Sequence, residues 1–190
     1  MNLEKELGRL LTTAPREVGE GVVLGTGISD GFSVFESLLG PVVVTFNPLG
    51  VSAVDLLSEG FEQRFEQRFQ RGLLEARPPR GWNDLILRAL EEGTPGALPV
   101  DLRSVTTFQR EVLEETAAIP RGQTRSYGWL AHQTGRPRAA RAVGQTMARN
   151  PVPLVIPCHR VVRADGQVGH YGLGGIHNKR TLLRVEGALG

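Results

Sequence analysis

The sequence predicts a two-part protein: an α/β N-terminal domain with an antiparallel sheet, followed by a mainly α C-terminal domain. Three observations carry this. Two β-rich runs, residues 32–38 and 41–46, precede a third at Val51–Leu56, with Asn47-Pro48-Leu49-Gly50 as the turn between them. Beyond residue 100 the apolar residues recur mostly at helical spacing. Two of those helical stretches, Ser126–Gln133 and Pro137–Arg149, are separated by Thr134-Gly135-Arg136, which is the spacing of a helix-turn-helix. The Gly- and Pro-containing stretch Gly93–Pro99 reads as a linker, so the division falls at 1–97 and 98–190, with 1–30 an unassigned extension. A chain of 190 residues can bury the core that such an arrangement needs.

Taken in order, residues 2–12 read as a helix because Leu3, Leu7, Leu10 and Leu11 share a face, and Val22-Val23-Leu24 as a short strand. The hairpin follows. A local repeat then places Phe61, Phe65 and Phe69 on one helix face. We read that stripe as core; a ligand or partner surface is the alternative. Pro78-Pro79-Arg80-Gly81 breaks the chain before a helix at Trp82–Glu92, and Val100–Arg103 reads as one more strand. Thr107–Ala118 is a helix with Thr107 as its N-cap, ended by Ile119-Pro120-Arg121-Gly122. Pro137 takes the first position of the second helix of the pair, a place where its missing N–H costs nothing. Residues 163–175 form a glycine-rich loop around His170 and Tyr171, and Lys179–Glu186 is a closing helix.

The net charge of +2 conceals an asymmetry. Residues 1–100 hold 9 Lys/Arg against 14 Asp/Glu, whereas residues 101–190 hold 13 against 6, and 12 of those 13 are arginine. Arginine suits phosphate contact and insertion between bases. Within Pro137–Arg149, Arg138, Arg141 and Arg149 alternate with Ala139, Ala140 and Ala142. Small side chains let a helix backbone approach a nucleic-acid groove, and the arginines reach past it. No apolar run is long enough to span a membrane. The charged start, Met1-Asn2-Leu3-Glu4-Lys5-Glu6, is unlike a signal peptide. The expectation is a cytoplasmic protein, nuclear if eukaryotic. One cysteine excludes an internal disulfide and a multi-cysteine zinc site. With no histidine before His132, no metal is expected in the N-terminal half, and no cofactor is called for.

That cysteine, Cys158, sits in Asn150-Pro-Val-Pro-Leu-Val-Ile-Pro-Cys-His-Arg-Val161. Three prolines (Pro151, Pro153 and Pro157) rule out helix interior and central strand. A rigid backbone thus presents one thiol beside His159 and Arg160, whose charges can lower the pKa of a thiol and favour the thiolate. A buried cysteine acting as a small hydrophobe is the alternative.

The stretch resembles the Pro-Cys-His-Arg motif of the O6-alkylguanine-DNA alkyltransferases. The likeness runs over residues 105–188 through Thr107-Phe108-Gln109, Ile119–Gly122, Thr124–Tyr127, Ala139–Gly144 and Lys179–Gly187, all in the family's order. A weaker likeness covers Leu39–Val54. The resemblance implies a ribonuclease H-like N-terminal domain and a C-terminal domain with the helix-turn-helix. It implies irreversible transfer of an alkyl group from O6-alkylguanine in double-stranded DNA to Cys158, once per molecule, with O4-alkylthymine as a further candidate. His159 would act on Cys158 through water, Glu186 would orient the imidazole, and Tyr127 would donate to ring N3 of the base. Arg141 would fill the stack after the nucleotide flips out. The helix would approach the minor groove, with Ala140 and Ala142 allowing close contact, Ser126 beside them, and Arg138 and Arg149 on phosphates. Tyr171, Val161 and Gly172 would line the substrate pocket, and Asn150 would hold the turn before Cys158. The loop Tyr171-Gly172-Leu173-Gly174-Gly175 is one residue longer than the family's Tyr-x-Gly-Gly, which puts the backbone donor near Gly172 in question. The chain would act as a monomer, with no membrane partner. Two rivals remain: a non-catalytic alkyltransferase-like protein that only binds the lesion, usually without the cysteine, and a cysteine hydrolase, for which no acyl-binding motif is present.

Overall fold

The computed structural model describes residues 28–189, so the helix expected at residues 2–12 and the strand at Val22–Leu24 lie outside the described residues. Strands β1 (Ser29–Ser37), β2 (Gly40–Asn47) and β3 (Gly50–Leu56) form an antiparallel meander. β2 is central, and its Val42, Val43 and Val44 are buried in succession, because the sheet is covered on both faces.

Helix α1 (Phe61–Phe69) ends where Gln70 turns left-handed at φ 55 and its N–H closes on Glu66 O. The chain then adds β4 (Gly72–Glu75) beside β1, in the order β3-β2-β1-β4. β4 pairs with β1 in parallel, so the expected antiparallel sheet is in fact mixed. Parallel pairing needs a crossover, and α1 supplies it by carrying the chain from one edge of the sheet to the other. Four residues, Gly-Leu-Leu-Glu, carry no alternation that would have marked a strand.

A buried polar network locks this sheet to the following segment. Asp30 accepts from Ser52 and Asn47 and pairs with Arg71 at 3.2 Å; Asn47 also donates to Asp101, which pairs with Arg103 at 2.9 Å. Val100–Arg103 is therefore no strand: it makes one bridge, Val51 to Val100, and then turns Asp101 inward.

Helix α2 (Trp82–Glu92) buries Ile86, Ala89 and Leu90 and closes on Gly93. α3 (Thr107–Ala117) is capped by Thr106, not Thr107. Gln109 decides this: it lies three residues after Thr106, so each side chain bonds the other's backbone N–H in a reciprocal box. Strand β5 (Arg125–Ser126) leads into α4 (Tyr127–Gln133), capped by the Ser126 hydroxyl. α5 (Ala140–Ala148) starts later than expected, because Pro137 and Arg138 lie in a turn that Ala139 N–H closes on Arg136 O. A 3₁₀ turn at Cys158–Arg160 runs into β6 (Val161–Val162), and α6 (Gly175–Val185) begins at Gly175 rather than Lys179. Val112, Leu113, Leu130, Val143 and Met147 of α3, α4 and α5 pack into the same core as Val42, Val44 and Ile86. Among the described residues no helix is long and apolar enough to cross a membrane.

The Thr106–Gln109 box is solvent-facing, so its loss should act locally. Thr106→Ala is expected to lower stability by about 1 kcal/mol, read as a lower denaturant midpoint at unchanged slope. An unchanged midpoint would mean that the box adds nothing to α3.

Candidate active site

Residues 150–162 are buried throughout. The Asn150 amide clasps the loop from inside: its Nδ2 donates to Ile156 O at 2.8 Å and its Oδ1 accepts from Val152 N–H at 3.1 Å. Prolines at 151, 153 and 157 remove donors that the loop would otherwise have to satisfy, and Pro157 precedes the 3₁₀ turn that presents Cys158. The loop leans on the sheet, where Val54 N–H donates to Pro151 O at 2.9 Å.

The Arg160 side chain is 1% exposed, and each of its N–H donors has an acceptor. Nε and Nη2 hold the two oxygens of Glu186 at 3.0 and 2.8 Å. Nη1 donates to Gly93 O and Ile119 O, and Nη2 also to Glu92 O. Gly93 is required twice over: its φ is 64, and a Cβ there would fall 2.5 Å from Arg160 Nη2. Glu186 in turn engages His159 Nε2 at 3.0 Å. Burial pushes Glu186 up, but hydrogen bonds from His159 and Arg160, with their charges, outweigh it and hold the carboxyl at about 2. Burial pushes His159 down further than Glu186 raises it, so the imidazole is neutral near pH 7.

Arg160 therefore does not serve the thiol, contrary to the sequence-based expectation; its donors are spent on the scaffold. Burial pushes the Cys158 thiol up, and the Asn150 amide and the charge of Lys179 oppose this only in part. Lys179 is the group that sequence reasoning missed. It is fully buried, donates to Val161 O, and lies 5.9 Å from the centre of the Tyr127 ring. Burial lowers it to about 8, against the pull of Cys158. Its position in the Lys-x-x-Leu-Leu block was the only signal.

The two-residue ladder of β5 and β6 sets Arg125 beside Val161 and so brings Tyr127 toward the cysteine loop. Burial, then the nearby Cys158, raises the Tyr127 phenol, so it keeps its proton. Gly169 is a second residue missed in the sequence: a Cβ there would fall 2.5 Å from the Tyr127 hydroxyl, so any side chain would force the ring or the loop to shift. Tyr171 is buried edge-on to His159 at 6.2 Å, and its hydroxyl has no protein partner.

A cavity of about 290 Å³ opens beside Cys158, with Asn150 and Gly172 also in its wall. Tyr127, Tyr171 and Val161 are not wall residues, and Val161 is wholly buried in the core. Arg141 and Arg149 are exposed at the two ends of α5, and Arg138 is exposed in the turn before it. None of them joins an ion pair among the described residues. Ala140 and Ala142 are half-buried on α5, and Ser126 is half-buried as the cap of α4. Among the described residues no three His, Cys, Asp or Glu side chains group as metal ligands.

Residues 107–188 match the family model described as 6-O-methylguanine DNA methyltransferase, DNA binding domain. The methylated-DNA–protein-cysteine methyltransferase of Mycobacterium leprae is 50% identical over 95 residues, 50% of this chain and 56% of that protein. The match thus spans about half the length of that relative. The Methanosarcina acetivorans protein of the same name is 30% identical over 167 residues, 83% of this chain and 98% of its own. Mycobacterium tuberculosis OGT in complex with DNA superimposes with a TM-score of 0.66 at 33% identity, covering 83% of this chain and 93% of that one.

The carboxyl of Glu186 lies below its ordinary value of 4.5 in the folded chain. Its ionised form therefore stabilises the fold fully above about pH 4.5, and the contribution fades as pH falls toward about 2. Glu186→Gln is expected to be much less stable than wild type at about pH 6, with the gap shrinking toward about pH 3. Urea titrations at the two pH values check this; a gap independent of pH would refute the ionic role.

Proposed function

This chain belongs to the methylated-DNA–protein-cysteine methyltransferase family, and we propose on that premise that Cys158 takes an alkyl group irreversibly from guanine O6 in double-stranded DNA. The observation that carries the reading is a buried lone thiol next in sequence to a neutral imidazole held by a carboxylate. Glu186 is ionised and accepts, so His159 Nε2 carries the proton and Nδ1 the lone pair. Nδ1 has no protein partner and is free to take the thiol proton, directly or through water.

The step balances without any cofactor. The Cys158 proton passes to His159 while sulfur attacks the alkyl carbon. A C–S bond forms, the C–O6 bond breaks, and its electron pair stays on the guanine. The base then takes up one proton, so a thiol and an alkylguanine become a thioether and guanine. Tyr127, still protonated, donates toward ring N3 as charge builds on the base, and the Lys179 ammonium offsets charge on sulfur. An alkyl thioether is not cleaved by the imidazole and carboxylate beside it, hence one turnover per molecule. O4-alkylthymine offers the same electrophilic carbon on an exocyclic oxygen.

A base inside a duplex cannot reach a buried sulfur, so the nucleotide must flip out. We read α4 and α5 as a helix-turn-helix whose second helix enters the minor groove, where Ala140 and Ala142 permit close approach and Ser126 lies alongside. Arg141 fills the vacated stack, and Arg138 and Arg149 contact phosphates. Gly172 borders the substrate from the cavity wall, Tyr171 and Val161 back Cys158 from the core, and Asn150 fixes the turn between α5 and the cysteine. We assign the sheet and its helices to a ribonuclease H-like domain of residues 1–97, and transfer and DNA binding to 98–190. The protein works as a monomer in the cytoplasm, with the genome.

Incubation with O6-methylguanine duplex should add one CH₂ to the intact mass at Cys158. Cys158→Ala should lose this completely yet hold the modified duplex within about threefold of wild-type affinity in gel shifts, because α5 is a separate element. Binding without any mass gain by the wild-type chain would instead identify a lesion-binding protein.

Arg141→Ala should slow repair in duplex at least about tenfold more than reaction with the free alkylated base, which needs no flipping. Equal slowing of both would remove Arg141 from that role.

A further inference from the structure

The cavity beside Cys158 has a wall that transfer of a methyl group does not need. It comes from α1. The four-residue repeat puts Arg64 and Arg68 on the same helix face as Phe61, Phe65 and Phe69, and all five side chains border the cavity. Phe65 is buried, and Phe69 packs against it at 4.6 Å between ring centres. Arg64 is paired with Asp55 at 3.3 Å. Arg68 has no ion pair among the described residues; it stacks over Phe69 at 5.0 Å and donates to the carbonyl of Arg149, between the wall residues Ala148 and Asn150.

Displacement at carbon puts sulfur and O6 on opposite sides of the reacting atom. The rest of a longer substituent must then project sideways from that axis. The cavity provides the room, since about 290 Å³ far exceeds what one methyl group occupies. Its apolar rings suit a methylene chain; Asp55 in the wall is taken up by Arg64, and the Arg68 guanidinium, with no ion pair among the described residues, keeps donors beyond its one bond to Arg149 O that suit an anion at the end of that chain.

We propose that α1 is a specificity wall for the transferred group, and that Arg68 selects O6 substituents ending in a carboxylate. The proposal rests on the reading of Cys158 as alkyl acceptor and deepens it. The bond changes are those of methyl transfer, and the carboxylate itself takes no part in them.

The test uses the whole chain and three duplexes, carrying O6-methylguanine, O6-(3-carboxypropyl)guanine and the primary amide of the latter, which has the same shape without the charge. Single-turnover transfer to Cys158 is followed by intact mass. The expected result is carboxylate transfer at least about threefold faster than amide transfer, a modest factor because Arg68 is solvent-exposed. In Arg68→Met the ratio should fall to about one, and in Arg68→Lys it should be partly kept. A wild-type ratio of one or less overturns the proposal without any variant, and so does a ratio that Arg68→Met leaves intact. Absence of transfer from all three duplexes, methyl included, overturns the underlying reading and the proposal with it.

Discussion

A single buried guanidinium organises this site. Arg160 reaches the end of α2 through Glu92 and Gly93, the end of the α3 segment through Ile119, and the end of α6 through Glu186. Removing either member of a buried ion pair typically costs about 3–5 kcal/mol, because the other charge is left uncompensated. Here such a loss would also take from the ends of α2 and α6 and the segment after α3 the side chain they share. Glu186 thus has two tasks that cannot be separated: it neutralises Arg160, and it sets the tautomer of His159. The scaffold and the proposed chemistry share one carboxylate, so the His159 imidazole is oriented by the same side chain that neutralises Arg160.

The second constraint is the state of the thiol. Burial favours the neutral form of every group around it: it raises Cys158, Tyr127 and Tyr171 and lowers His159 and Lys179. On the proposed function the nucleophile is spent once, and keeping it protonated until substrate arrives protects it, since a standing thiolate would react with any electrophile or oxidant. The geometry suits that logic. The base is neutral and ready, and one partly titrating cation, Lys179, lies where it can meet the charge as it forms. The phenol that would donate to the base holds its proton through the same burial that disfavours the thiolate.

Much of this was legible in the sequence, for physical reasons that differ by element. The hairpin strands announced themselves through β-branched runs around a Pro-Gly turn, and the Phe61–Phe69 repeat fixed both the helix and the face it buries. Ends were less legible. Thr106 displaced Thr107 as a cap because Gln109 supplied the return bond, and Pro137 fell outside α5 because the turn before it closed first. Strand β4 could not be read at all: four residues hold no period, and its pairing depends on a crossover many residues away. In the site, the contact between His159 and Glu186 lies where the resemblance led one to expect it. The job of Arg160 was not legible, because adjacency in sequence says nothing of direction in a 3₁₀ turn, where successive side chains diverge. Lys179 was hidden for a similar reason, since a lysine on a terminal helix reads as solvated until the fold covers it.

The contacts between the two halves explain why the α1 stripe is more than core. Val54 N–H holds Pro151 O, Arg68 holds the Arg149 carbonyl, and both acceptors flank Asn150, whose amide shapes the cysteine loop. The sheet and α1 therefore touch the segment between α5 and Cys158 on both sides of its hinge residue. α1 packs against the sheet where Phe61 meets Phe32 of β1 and still presents Arg68 to the cavity, because residues three and four apart share one helix face. One short repeat thereby supplies an anchor and a wall, and the same contacts couple the position of that wall to the loop that carries the nucleophile.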